Sequence, residues 1–306
     1  LKTMFPTIFS VGPISISSFG FFLALGFLYG SFLIWRLSRA FDINEEKILD
    51  LTLLTFFGGL LGARVLFIIL NFNFFGLDPL KWILFTKYPG LLFVGAILGG
   101  VLTLLYFSKR LGLNFWQVAD FASVGFLGGL ILADVGCFFG GCSYGVKSSA
   151  FFAIPVLGVL DKRFPVQALE AAIFALVLWK IWPKAVHFHF NGKIVSYSLI
   201  LLGFFRFLLE FFREKQYGGL GYFFYCLLFM FGIFIFYQKS KRNLVEDLKD
   251  TFKNLVRLIT ESGFRFEILK ELKKNWYNQK VGLNWKFKGI KEILRRVNVR
   301  PTPKSF

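Results

Sequence analysis

The chain has 306 residues, a formal net charge of +18, 56% hydrophobic residues including 44 phenylalanines, and a positive mean hydropathy. A water-soluble domain of this length has too little interior for so much apolar surface, which excludes a soluble enzyme or cytosolic binding module. A polytopic membrane protein remains.

Apolar runs of about 20 residues, enough for a hydrocarbon core of ~30 Å, lie near 14–35, 50–70, 90–107, 118–142, 166–182, 195–212 and 219–237. They predict an all-α fold with seven transmembrane helices. The first run lacks a charged leader region apart from Lys2 and runs past the length of a signal-peptide core without a small-residue cleavage pattern, so it is expected to be retained. In the second run Arg64 sits in GGLLGARVLF, where Gly58, Gly59, Gly62 and Ala63 let a neighbouring backbone approach and leave room for a guanidinium. Asp120 opens the fourth run, Asp134 lies near its far end, and Glu170 comes next in RFPVQALEAAIF.

The sixth run belongs to Tyr197 to Glu214, YSLILLGFFRFLLEFFRE. Gly203, Arg206, Glu210 and Arg213 recur there at spacings of three and four, which puts them on one helix face. An ionised Arg at membrane depth costs roughly 2.5–3.5 kcal/mol on insertion scales, so that face must look into protein, with Glu210 the expected nearest partner of Arg206. Guanidinium forks match phosphate bidentately. A cavity holding Arg64 and Arg206 therefore suits a phospholipid headgroup, whereas the same arginines paired with carboxylates would be structural struts.

Residues 238–306 carry 18 Lys and Arg against 7 Asp and Glu, which supplies +11 of the net charge. The positive-inside rule places this basic tail in the cytoplasm and the amino terminus outside, while the basic residues of the loops are nearly balanced between the two sides. Leu244, Leu248, Phe252, Leu255, Val256 and Ile259 recur at helical spacing opposite charged residues, which predicts an amphipathic helix from 243 to 260. Gly263, Gly282 and Gly289 punctuate the remainder of the tail. Such a segment fits either an anionic lipid surface or plain solvation. Trp276, Tyr277 and Trp285 lie among lysines, but no motif supports nucleic acid as a partner.

Cys137 and Cys142 flank Gly140 and Gly141 near the outward end of the fourth run. They suit small apolar fillers at a helix crossing, or a disulfide where the helix breaks. Two cysteines with no nearby histidine are too few for a metal site. Cys226 stands alone in the last run and is expected in the core.

The order PTIFSVGPISISSFGFFLALGF, GARVLF, LNFWQVADF, GCFFGGCSYG, RFPVQALE and GFFRFLLEFFRE resembles the bacterial phosphatidylglycerol:prolipoprotein diacylglyceryl transferase family over residues 6 to about 237. The intramembrane G-x-x-R-x-x-x-E-x-x-R element is its most specific part. The resemblance implies a domain over 1–238 in the bacterial inner membrane, with 239–306 as a separate basic tail that it does not cover. It implies transfer of diacylglycerol from phosphatidylglycerol to the lipobox cysteine of a prolipoprotein signal peptide, with no cofactor and no metal. Carried over residue by residue, it implies Arg206 and Glu210 as catalytic and Arg64, Arg206 and Arg213 as phospholipid-binding.

The likeness is incomplete. Val94 stands where the family has the histidine of H-G-G-x-x-G, and Phe19 where it has a tyrosine. Its signature G-R-x-G-N-x-x-N-G-E-x-x-G reads ADVGCFFGGCSYG, with Asp134 in place of the phosphate-binding Arg, Cys137 and Gly140 in place of Asn, and Cys142 in place of Glu. Gly136, Gly141 and Gly145 keep the motif's glycines, and Tyr144 offers a hydroxyl beside them. Divergent members resemble this segment in having G-C-F-x-x-G-C-x-x-G. His187 and His189 fall in a loop assigned to the cytoplasmic side, away from the site. An active or slowed transferase, a catalytically silent phospholipid binder of the same fold, and a carrier or channel all fit these residues.

Overall fold

The computed structural model describes residues 7–11, 14–84, 88, 90–156, 159, 161–214, 219–261, 263–271, 273–274, 276–278 and 281. The chain divides into two compact units, Leu1–Lys241 and Arg242–Phe306. The first begins with β1 (Thr7–Val11) and β2 (Ile14–Ser17), followed by α1 (Ser18–Ala40), α2 (Glu45–Leu70), α3 (Phe72–Phe75), α4 (Pro79–Ile83), α5 (Phe93–Arg110) and α6 (Phe115–Gly140). It continues through β3 (Ile154–Pro155), β4 (Lys162–Arg163), α7 (Val166–Val186), α8 (Lys193–Glu210) and α9 (Leu220–Ser240).

Helix starts fall where polar side chains can take up the amides that an N-terminus leaves unpaired. Ser17 Oγ accepts from Gly20 N at 3.1 Å, Asn44 Oδ1 from Lys47 N at 3.0 Å, and Asn114 Oδ1 from Trp116 N at 3.1 Å. Arg39 closes α1, and Lys109 and Arg110 close α5, at ends where free carbonyls favour cations.

The sequence places the first apolar run in a helix from residue 14, and here the structure differs. Ile14–Ser17 reads Ile-Ser-Ile-Ser, the two-residue period of a strand, and pairs antiparallel with β1 through Val11↔Ile14 and Phe9↔Ile16. The helix starts only behind the Ser17 cap. With this hairpin and the β3–β4 pair, the fold is mostly helical rather than wholly so. Among the described residues six helices, α1, α2, α5, α6, α7 and α9, are long and apolar enough to cross a membrane by length and composition, one fewer than the seven expected. The remaining long helix, α8, packs on α9, α6 and α7 but carries Lys193, Arg206 and Glu210 within its 18 residues.

Lipid tails are as apolar as leucine, so such helices associate by close packing rather than by escape from water. Glycine makes the approach possible. A Cβ at Gly30 of α1 would lie 2.6 Å from the Gly125 carbonyl oxygen of α6, and one at Gly62 of α2 would lie 2.4 Å from that of Gly95 of α5. Around α6 the buried Phe121, Val124 and Leu127 meet Leu33 and Leu37 of α1, Phe174 and Val177 of α7, and Leu202 of α8. Cys226 of α9 is exposed rather than in that core, because the helix turns Tyr225 and Leu228 inward instead.

In the second unit α10 (Leu244–Thr260) matches the amphipathic spacing, and residues 263–271 are helical. Leu244, Val245, Leu248 and Val256 are exposed, as are Trp276 and Tyr277. Gly282, Trp285 and Gly289 lie outside the described residues.

Candidate functional site

Three helices of the first unit each deliver charge to one buried place. Arg206 of α8 is 4% exposed and Glu170 of α7 is 1% exposed. Arg206 Nη2 donates to Asp134 Oδ1 of α6 at 3.1 Å and reaches its Oδ2 at 3.4 Å, while its Nε lies 3.7 Å from Glu170 Oε1. Arg213, just beyond α8, donates from Nη2 to the same Glu170 oxygen at 2.6 Å and brings its Nε to 3.5 Å from Glu210 Oε2. The rings of Phe93 and Phe174 lie 4.4 and 5.7 Å from the Arg206 guanidinium carbon.

This corrects the expected pairing of Arg206 with Glu210. On α8 the two are four residues apart, but Arg206 turns toward α6 and α7, and Glu210 serves Arg213 instead. Two guanidiniums therefore share one carboxylate oxygen, with Asp134 and Glu210 as outer partners. The Nε atoms of Arg206 and Arg213 are buried without a hydrogen-bond partner among the described residues. Three carboxylates face two guanidiniums, so the cluster carries one proton or one excess negative charge, and it has two buried N–H groups to offer an acceptor.

Arg64 does not join them. Its Nε donates to the Trp82 carbonyl at 3.0 Å, Nη1 to those of Tyr88 and Gly90 at 2.7 and 3.1 Å, and Nη2 to that of Lys81 at 2.9 Å. The guanidinium that suits a headgroup by sequence is spent on holding the end of α4 and the connection to α5, where backbone carbonyls without helical partners need donors.

The signature segment lies along the edge of the cluster. Cys137 and Cys142 form a disulfide, so of the two readings left open by their spacing the cross-link is the one observed. Gly141 turns into the left-handed region at φ 73°, which ends α6 and lets Cys142 N donate to Cys137 O at 3.1 Å. Beyond it the chain runs as a strap between the end of α8 and the approach to α7. Val146 N donates to Phe212 O at 2.9 Å, Glu214 N to Tyr144 O at 3.3 Å, and Phe164 N to Val146 O at 3.0 Å. Gly145 pairs across to Arg213, and a Cβ there would sit 2.4 Å from Phe164 O and 2.8 Å from Phe212 O. Tyr144 lies under the Arg163 guanidinium, 5.3 Å from ring centre to carbon.

Sequence reasoning overlooked two features. Gln167, three residues before Glu170 on α7, donates its amide to the Cys142 carbonyl; the shared helix face was visible, the partner was not. His189, which the sequence puts in a loop away from the site, meets Asp120 at the opposite end of α6. Asp120 accepts from Gly192 N at 2.7 Å and Val195 N at 2.8 Å, which caps α8, and His189 Nε2 lies 3.4 Å away.

These features define a multi-pass helical membrane protein with a buried guanidinium–carboxylate site. The chain belongs to the prolipoprotein diacylglyceryl transferase family, whose model matches residues 6–238. It is 33% identical over 226 residues to a phosphatidylglycerol–prolipoprotein diacylglyceryl transferase of Vibrio vulnificus, covering 69% of this chain and 79% of that protein. To the second such transferase of Clostridium perfringens it is 29% identical, covering 68% and 83%. The match to one of Caldanaerobacter subterraneus is 30% identical and covers 58% of this chain and 66% of that protein.

Proposed function

We propose that this chain transfers a diacylglyceryl group from phosphatidylglycerol to the thiol of a prolipoprotein lipobox cysteine. A carbon–sulfur bond forms, the carbon–oxygen bond to phosphate breaks, glycerol phosphate leaves, and the thiol proton passes to a base. The observation that carries the reading is the pair Arg206 and Arg213, whose buried Nε–H groups lack hydrogen-bond partners among the described residues, beside a shared Glu170 oxygen. Donors aimed where charge develops on a leaving phosphate are often the largest single contribution to such a step. Glu210 is the acceptor for the thiol proton. Arg64 acts as a positioning residue, because its fork is engaged by backbone.

In this proposal α8 is the seventh span, the protein sits in a bacterial inner membrane, and the first unit's amino terminus faces outward. The basic tail is cytoplasmic and attracts anionic lipid, since each Lys or Arg near the surface contributes about 1 kcal/mol. Complementation of a transferase-depleted bacterial strain tests the function. Growth with the wild-type gene and none with Arg206→Ala is expected; equal growth with both would remove Arg206 from the chemistry.

A second reading, a silent phospholipid binder, draws on one observation: Asp134 already holds Arg206 Nη2 at 3.1 Å. One unit of charge at about 6 Å and an effective dielectric near 20 is worth about 3 kcal/mol, roughly a hundredfold in rate. Transfer by this chain is therefore slow beside that of relatives with Arg at this position, or absent if Asp134 never releases Arg206.

A further inference from the structure

The Cys137–Cys142 loop and the strap that follows it run beside the backbones that carry the ion cluster. Cys137 lies three residues after Asp134 on α6. The Cys142 carbonyl is held by Gln167, itself 2% exposed and three residues before Glu170 on α7. Two residues later the strap pairs with Phe212 and Glu214, the neighbours of Arg213, which donates to Glu170. The cross-linked loop thus adjoins Asp134 and Glu170, and the strap that leaves it at Cys142 adjoins Arg213.

We infer that the Cys137–Cys142 disulfide is a redox-sensitive latch that holds the cluster in its anion-binding arrangement. The inference rests on the phosphate reading of the site. A dithiol reductant opens the latch by thiol–disulfide exchange: one of its thiolates attacks a sulfur of the bridge, the second displaces the mixed disulfide, and two cysteine thiols and an oxidised reductant result. With the bridge open, the left-handed turn at Gly141 no longer has a covalent tie. The Cys142 carbonyl can then leave Gln167, and the strap that fixes Arg213 loosens. Both cysteines are half-buried, not sealed in the core, so a small dithiol can reach them.

The test uses the full chain in detergent, oxidised or reduced with dithiothreitol, with short-chain phosphatidylglycerol as the probe. Affinity is expected to fall about tenfold on reduction and to return on reoxidation. Gln167→Leu, which keeps the bridge but removes its tether, should bind weakly in both states. Equal affinity of oxidised and reduced wild type would overturn the inference, as would a redox response surviving in Cys137→Ser/Cys142→Ser, where Cys226 is the only thiol left. If the probe binds in neither state, the phosphate reading fails and hydrogen exchange decides the latch. Val146 and Glu214 amides exchanging about tenfold faster on reduction would uphold it, and unchanged exchange would reject it.

Discussion

Two guanidiniums on one carboxylate oxygen make Glu170 the costliest single charge to remove. Breaking a buried ion pair from one side costs about 3–5 kcal/mol, because the abandoned charge stays out of water. Glu170→Gln takes the shared acceptor from both guanidiniums and leaves them only Asp134 and Glu210 on their outer sides, so thermal unfolding in detergent should show a loss approaching that range. Asp134→Asn should cost far less, since Asp134 serves Arg206 alone, an Asn oxygen can still accept from its Nη2, and Glu170 continues to hold both guanidiniums. Equal destabilisation by the two substitutions would contradict this division of roles. The presence of buried charge was legible in the sequence because arginine and carboxylates are expensive among phenylalanines. Their pairing was not, since spacing on α8 reports only neighbours on that helix, and the partners of Arg206 come from α6 and α7. Arg64 shows the same limit: the glycines before it announced a close approach, which α5 makes at Gly62, while the carbonyls around its guanidinium come from the end of α4 and the connection beyond it.

At the scale of elements, α8 is braced by α6 at both ends: Asp134 pairs with Arg206, and Asp120 caps the helix at Gly192 and Val195. His189 closes the Asp120 end. Burial pulls its pKa down, but the hydrogen bond to Asp120, the His187 carbonyl and the charge of Asp120 outweigh that and raise it above the ordinary value. Both ring nitrogens face acceptors, which is the arrangement that favours imidazolium. A raised folded-state pKa contributes stability that is fully present below the unfolded value of about 6.5 and is lost as pH rises through the folded value. The difference in melting temperature between wild type and His189→Gln should therefore be largest below about pH 6.5 and shrink above it. A difference independent of pH would assign His189 a packing role only. The long helices of the first unit were legible from the apolar runs. The start of α1 was not, because Ile-Ser-Ile-Ser has enough hydrophobicity to look like a span while its period is that of a strand.

For the whole molecule, composition decided the class, since 56% hydrophobic residues leave no soluble alternative. The family was legible in motif order, although the motifs depart from the family's at Phe19, Val94, Asp134, Cys137, Gly140 and Cys142. Asp134 is part of the cluster, Cys137 and Cys142 close the loop beside it, and Val94 follows Phe93, whose ring lies over Arg206. The most direct measurement follows labelled diacylglycerol from phosphatidylglycerol to a lipobox peptide, using the purified full chain in lipid with Arg206→Ala and Asp134→Asn alongside. Slow transfer by the wild type, none by Arg206→Ala, and faster transfer once Asp134→Asn removes the negative charge held against Arg206 are expected. Transfer by Arg206→Ala at the wild-type rate would contradict the placement of the chemistry at this cluster.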